Sequence, residues 1–245
     1  MSRGRVAICA LVAMFTFAAQ AAPALAKKEY KREFEASGPS VKLETRSVGT
    51  EFLWVFPIEE HKAVKVKCAG VEHGPGEITT TENKTQSFKV KVTYAQCKTK
   101  GQKGGHEEVT VSPIEWEFHA NGTASVLNEA KFKLFQPGIC TIILTPGQTV
   151  GQEEVEEGKK GPENYRQIGK SPPEGLPEVE VKTKVRTHEE GEEDGIEFEG
   201  EGSLCETGEF KLEGGKLKGN MIVSAKAKET WIGFKEELLP PPPKM

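Results

Sequence analysis

The sequence predicts an all-β protein, an antiparallel sandwich or barrel-like unit stapled by two disulfides. Three observations carry that expectation. Short segments alternate apolar and polar residues with period two, which puts one set of side chains on each face of a strand. Glycine-bearing turns separate these segments at close spacing, and no long stretch has a helical period. Four cysteines follow residue 26, and two of them close amphipathic segments.

The clearest strand is 87–97. Phe88, Val90, Val92 and Tyr94 alternate there with Lys89, Lys91, Thr93 and Ala95. The first set faces a core and the lysines face water. This strand ends on Cys97, and Val64-Lys65-Val66-Lys67 leads in the same way to Cys68. Two amphipathic strands that each end on a cysteine read as neighbours joined by a disulfide.

Taken in order, 1–26 reads as a signal peptide. Arg3 and Arg5 open it, 6–19 is an apolar core too short for a comfortable membrane span, and Ala24-Leu25-Ala26 is the cleavage site. Ala22-Pro23-Ala24 is an alternative site, and Cys9 leaves with the signal. The mature chain is therefore expected outside the cytosol, secreted or on the exterior of the cell envelope, with no transmembrane segment after cleavage. Residues 27–48 form a charged arm, in which Tyr30 and Phe34 stand four apart as in a helical turn or a frayed strap. Ser37-Gly38-Pro39 interrupts it.

A first β segment spans 49–145. Phe52, Leu53, Trp54, Val55 and Phe56 make its most apolar run, a buried strand. Ile114-Glu115-Trp116-Glu117-Phe118 alternates cleanly, and Asn121-Gly122 predicts a hairpin with a type I′ turn. Lys131-Phe132-Lys133-Leu134-Phe135 alternates again, and 140–144 is an apolar strand opened by Cys140. Residues 146–178 are rich in Gly, Glu, Lys and Pro and read as a charged flexible loop, with Tyr165 as the residue able to dock. A second β segment, 179–237, completes the same β unit, and 231–239 is a short helix or a last edge strand. Residues 238–245 are a Pro-rich tail.

An even number of cysteines in an exported chain reads as two disulfides. Three pairings exist for Cys68, Cys97, Cys140 and Cys205. Cys68–Cys97 with Cys140–Cys205 is favoured, because each bond then stays within one β-rich segment. Chain entropy sets upper limits of about 3.6 and about 4.3 kcal/mol for loops of these lengths. No two of these cysteines are close enough in sequence for a zinc site.

The order of elements resembles a group of predicted exported proteins of soil actinobacteria. The likeness rests on an apolar aromatic strand, Val66-Lys67-Cys68, a Gly-rich turn, Val92-Thr93-Tyr94-x-x-Cys97, the run from Cys140 to Gln148, and Gly202-x-x-Cys205-x-x-Gly208 before a strand opened by Gly219. It covers residues 50–225 and implies an exported, disulfide-containing β-rich fold without an assigned activity. Members often carry a third cysteine pair, near Ile114 and Leu134, which this chain lacks.

Composition narrows the chemistry. The whole chain has 33 basic and 37 acidic residues and a formal net charge of −4. That balance argues against a nucleic-acid partner. Asp194 is the only aspartate, so a catalytic triad orienter or a calcium loop has little to draw on. No G-x-S-x-G elbow, phosphate loop or dinucleotide fingerprint occurs. His61, His73, His106, His119 and His188 have no ligand spacing, and the runs 153–157 and 189–194 lack the order of a calcium loop. No catalytic, cofactor-binding or metal residue is assigned. Glu115 and Glu117 around Trp116 are the one carboxylate pair that suits a glycosidase; the plainer reading is a solvated strand face over a core tryptophan. The expectation is a non-catalytic, exported interaction or structural module of the cell envelope or extracellular space. The alternative is a secreted hydrolase acting on glycans through two glutamates.

Overall fold

The computed structural model describes residues 30–48, 51–59, 62–72, 74–100, 108–134, 140–150, 165–170, 177–184, 196–201 and 210–238. The expected signal peptide, residues 239–245, Cys205, both glutamate runs and every histidine except His119 lie outside them.

The described residues are all β. In chain order the strands are β1 (Tyr30–Ala36), β2 (Ser40–Ser47), β3 (Phe52–Glu59), β4 (Lys62–Cys68), β5 (Gly70–Glu72), β6 (Pro75–Thr79) and β7 (Lys84–Thr85). They continue with β8 (Ser87–Ala95), β9 (Cys97–Lys100), β10 (Glu108–Val111), β11 (Ile114–His119), β12 (Ala124–Val126), β13 (Ala130–Leu134) and β14 (Cys140–Leu144). The last are β15 (Thr149–Val150), β16 (Tyr165–Ile168), β17 (Glu178–Lys184), β18 (Ile196–Glu201), β19 (Phe210–Ala225) and β20 (Ile232–Leu238).

Eight strands close on themselves, antiparallel throughout, in the order β3-β4-β9-β10-β13-β14-β18-β19 and back to β3. The far half of β19 leaves this barrel and pairs with β17 and β2. From there a second sheet runs β16-β17-β19-β2-β6-β8-β11-β12-β15. The small sheet β20-β1-β7 packs on its inner face, where the Phe34 ring meets Phe88 at 4.8 Å and Tyr165 at 5.1 Å. A barrel and a sandwich thus share the long strand β19. Gln96, with φ 52°, turns the chain from β8 in the sandwich to β9 in the barrel.

Alternation explains the core, which is continuous through both parts. In β8 the residues at 88, 90, 92 and 94 are buried and the intervening ones are not. Inside the barrel Trp54 stacks on Phe56 at 6.3 Å, and Phe132 meets both edge-on at 4.9 and 5.1 Å. All three are fully buried. Each such ring contributes roughly 1.5–3 kcal/mol by leaving water. The Cys68–Cys97 disulfide forms between β4 and β9, one step beyond the Lys67↔Lys98 pair, with Cα atoms 3.9 Å apart. Cys140 is also disulfide-bonded. Its expected partner, Cys205, lies outside the described residues.

Several local expectations are corrected. The segment 27–48 is no helical turn or frayed arm where it is described. It holds β1 and the interior strand β2. Phe34 and Ala36 are buried there, and the charges are absorbed by ion pairs such as Arg32 with Glu236 at 2.7 Å. Within 146–178, β15 and β16 are ordered, and Tyr165 docks against Phe34 and Phe234. Of the two alternatives for 231–239, the edge strand is the one formed: residues 232–238 pair with β1 at the margin of the small sheet.

The Asn121-Gly122 hairpin exists, but its turn is not type I′. Gly122 alone has positive φ, at 96°, and a three-residue loop of Ala120, Asn121 and Gly122 joins β11 to β12. Asn121 Oδ1 instead accepts from the Thr123 N–H at 2.9 Å. A two-residue loop would shift the register by one and turn alternate side chains out of the core. The observed loop keeps Trp116↔Val126 and Phe118↔Ala124 together, all four buried. Burial therefore overrides the dipeptide's turn preference. The two-residue turn with both φ positive is Glu82-Asn83, at 52° and 63°, between the mutually bonded Thr81 and Lys84.

Candidate functional site

The expected carboxylate pair lies on β11, flanked by β8 and β12. Ile114, Trp116 and Phe118 face inward, so period two sends Glu115, Glu117 and His119 to the outer face. Trp116 is only 1% exposed and hydrogen-bonds the Tyr94 hydroxyl. Burial pushes the Tyr94 hydroxyl well above the usual phenol range, so it stays neutral. Trp116 is therefore a core residue and offers no platform to a sugar.

Each carboxylate already has a partner. Glu115 Oε1 accepts from Lys91 Nζ at 3.2 Å, and the Glu115 backbone N–H donates to Asn128 Oδ1 at 2.6 Å. Glu117 Oε1 accepts from Ser87 Oγ at 2.7 Å. Both carboxylates stand side by side on one sheet face. A glycosidase places its two carboxyl groups on either side of the scissile bond, about 5–9.5 Å apart.

Beside them His119 Nε2 and Ser125 Oγ are 2.9 Å apart. Sequence reading missed this contact, because it depends on the three-residue loop. The pair has the nucleophile–base half of a triad. Among the described residues no carboxylate hydrogen-bonds the His119 ring to orient it, and Glu117, two residues along the strand, is engaged by Ser87. Among the described residues no group of three or more His, Cys, Asp or Glu is placed to hold a metal.

Two buried carboxylates also escaped sequence reading. Glu180 is 4% exposed; Arg166 Nε and Nη2 reach its Oε2 at 2.8 and 2.7 Å, and Asn220 Nδ2 approaches Oε1 at 3.4 Å. Glu33 is 5% exposed, with Lys84 Nζ at 2.8 Å and Lys31 Nζ at 3.2 Å. The hydrogen bond from Lys84 holds the Glu33 carboxyl below the usual range, although burial opposes it, and Lys84 is raised in turn. Each is a structural ion pair linking neighbouring strands. The predicted disulfide residues divide in the same way: Cys68 and Cys97 are joined in the core, and Cys140 stands at the start of β14. No family model, curated protein or solved structure matches the chain.

Proposed function

We propose that the chain is an exported, non-catalytic β-rich protein serving as an interaction or structural module of the cell envelope or extracellular space. One observation carries the reading: the polar groups that suit catalysis best are used up in strand-to-strand contacts on a broad sheet face. Glu115, Glu117, Glu180 and Glu33 each have a lysine, arginine or serine partner. The buried Cys68–Cys97 bond supports a working place outside the reducing cytosol. Outward positions of the barrel strands β4 and β9 carry Lys65, Lys67 and Lys98, which suits water and not the apolar outer band of a membrane barrel.

The test is a direct assay of the secreted, disulfide-intact protein on a panel of chromogenic glycosides and esters. No turnover above buffer is expected. Glycoside turnover that disappears in both Glu115→Gln and Glu117→Gln would establish the hydrolase reading instead.

A further inference from the structure

One corner of the second sheet is dry on the face that turns away from the core. Val179, Val181, Met221 and Val223 belong to the core, so Glu180, Lys182, Asn220, Ile222 and Ser224 leave β17 and β19 on the opposite face. Glu180, Ile222 and Ser224 are nevertheless buried, and Lys182 and Asn220 are half-buried.

This corner brings together an amine, an amide and a carboxylate. Lys182 stands directly opposite Asn220 across the β17–β19 pair. Facing residues have Cβ atoms about 4.5–5.5 Å apart, well within the reach of a lysine side chain. Asn220 Nδ2 lies 3.4 Å from Glu180 Oε1. Glu180 is two residues from Lys182 on the same strand and face, about 6.6 Å along the backbone. Arg166 holds the other oxygen, Oε2, through Nε at 2.8 Å and Nη2 at 2.7 Å, which leaves Oε1 to the amide. Among the described asparagines only Asn220 faces a lysine in a strand pair. Asn83 and Asn121 sit in turns, and Asn128 binds the Glu115 N–H.

We propose that Lys182 and Asn220 join autocatalytically in an isopeptide bond, with Glu180 moving the protons. The Glu180 carboxylate takes a proton from the Lys182 ammonium. The lone pair of the amine so formed attacks Asn220 Cγ. The Cγ–Nδ2 bond breaks as the proton held by Glu180 and a second one from the lysine nitrogen pass to Nδ2. The lysine nitrogen keeps one hydrogen, ammonium leaves, and the carboxylate is restored. Paired strands hold the reacting groups together, so the step is intramolecular. Burial of Glu180 and Ile222 limits the water that would compete for the acyl carbon. Asn220 lies where β19 passes from β3 to β2, between the pairs Lys218↔Leu53 and Met221↔Ser47. The bond fastens β17 to the strand that the barrel and the second sheet share. It goes beyond the module reading and stands whether or not the protein has a partner or turns over a substrate.

The test is the intact mass of the full disulfide-bonded protein, followed by reduction, trypsin digestion and peptide sequencing by mass spectrometry. A chain lighter by one ammonia is expected, with a branched peptide that survives reduction and joins residues 182 and 220. Lys182→Arg and Asn220→Ala should each restore the full mass, give linear peptides only and melt several degrees lower, as loss of a cross-link requires. Glu180→Gln should leave the strands unjoined; Glu180→Asp, which keeps a carboxylate for Arg166 but draws it back from Asn220, should slow joining at least tenfold. A branched peptide undiminished in both Glu180 variants would overturn the part given to Glu180. Linear peptides alone in the parent would overturn the proposal, as would ammonia loss mapped instead to Asn121-Gly122, a dipeptide able to close to a succinimide.

Discussion

Replacing Gly219 with alanine drives a methyl group into the ring of Phe52. A Cβ at 219 would lie 2.1 Å from Phe52 Cδ1, 2.4 Å from Cε1 and 2.7 Å from Cγ. Ordinary contact needs at least 3.4 Å, so the ring has to retreat by more than an ångström. It has little room, because Phe52 is 1% exposed and its ring is packed edge-on against Tyr94 at 5.3 Å. The glycine is therefore a seat for the aromatic ring across the β19–β3 pair, one step beyond Lys218↔Leu53. Overpacking of this kind costs roughly 1–3 kcal/mol. Alanine recovers about 0.5–1 kcal/mol of backbone entropy relative to glycine. A retreat of more than an ångström puts the cost in the upper part of that range, so the net loss should be about 1–2.5 kcal/mol, or a few degrees in Tm for a chain of this size. Urea denaturation of the disulfide-intact protein reads it directly. Phe52→Leu alone should also destabilise, but combined with Gly219→Ala it should cost less than the sum, since the smaller side chain makes room for the methyl. A neutral or stabilising Gly219→Ala, or strict additivity of the two changes, would refute the packing argument.

Glu33 should make stability depend on acid. Its folded pKa is lowered, chiefly by Lys84, so its contribution is present above the unfolded value near pH 4.3 and is lost as pH falls through the lower folded value. Glu33→Gln should accordingly destabilise at pH 7 and cease to differ from the parent at strongly acidic pH; a difference that persists at low pH would mean a packing role. Replacing both Cys68 and Cys97 with alanine should cost about 2–4 kcal/mol, and non-reducing peptide mapping of the parent should recover their joined peptides. In the turn at 82–83, Glu82→Asn with Asn83→Gly matches both positive φ angles, and a gain of roughly 1 kcal/mol in thermal or urea unfolding is expected.

The sequence by itself determined the class of fold and which face of most strands is buried. Phe88, Val90, Val92 and Tyr94 had to share one face because successive side chains in a strand point in opposite directions, and all four are buried. The same local rule placed Trp116 inward and Glu115 and Glu117 outward. It foresaw the Cys68–Cys97 bond but not its strands: Cys97 opens β9 after the turn at Gln96 instead of ending β8, and it is β9 that lies beside β4.

Only the tertiary structure decided which strands meet. β19 joins β18 and β3 in the barrel to β17 and β2 in the second sheet, and no local pattern within its 16 residues announces that double partnership. The turn at 120–122 was settled by the partners of Phe118 and Trp116, because the burial of four side chains outweighs the preference of one dipeptide. Residues 30–36 read as a loose charged strap, since their charges find partners only after β20 is laid beside them.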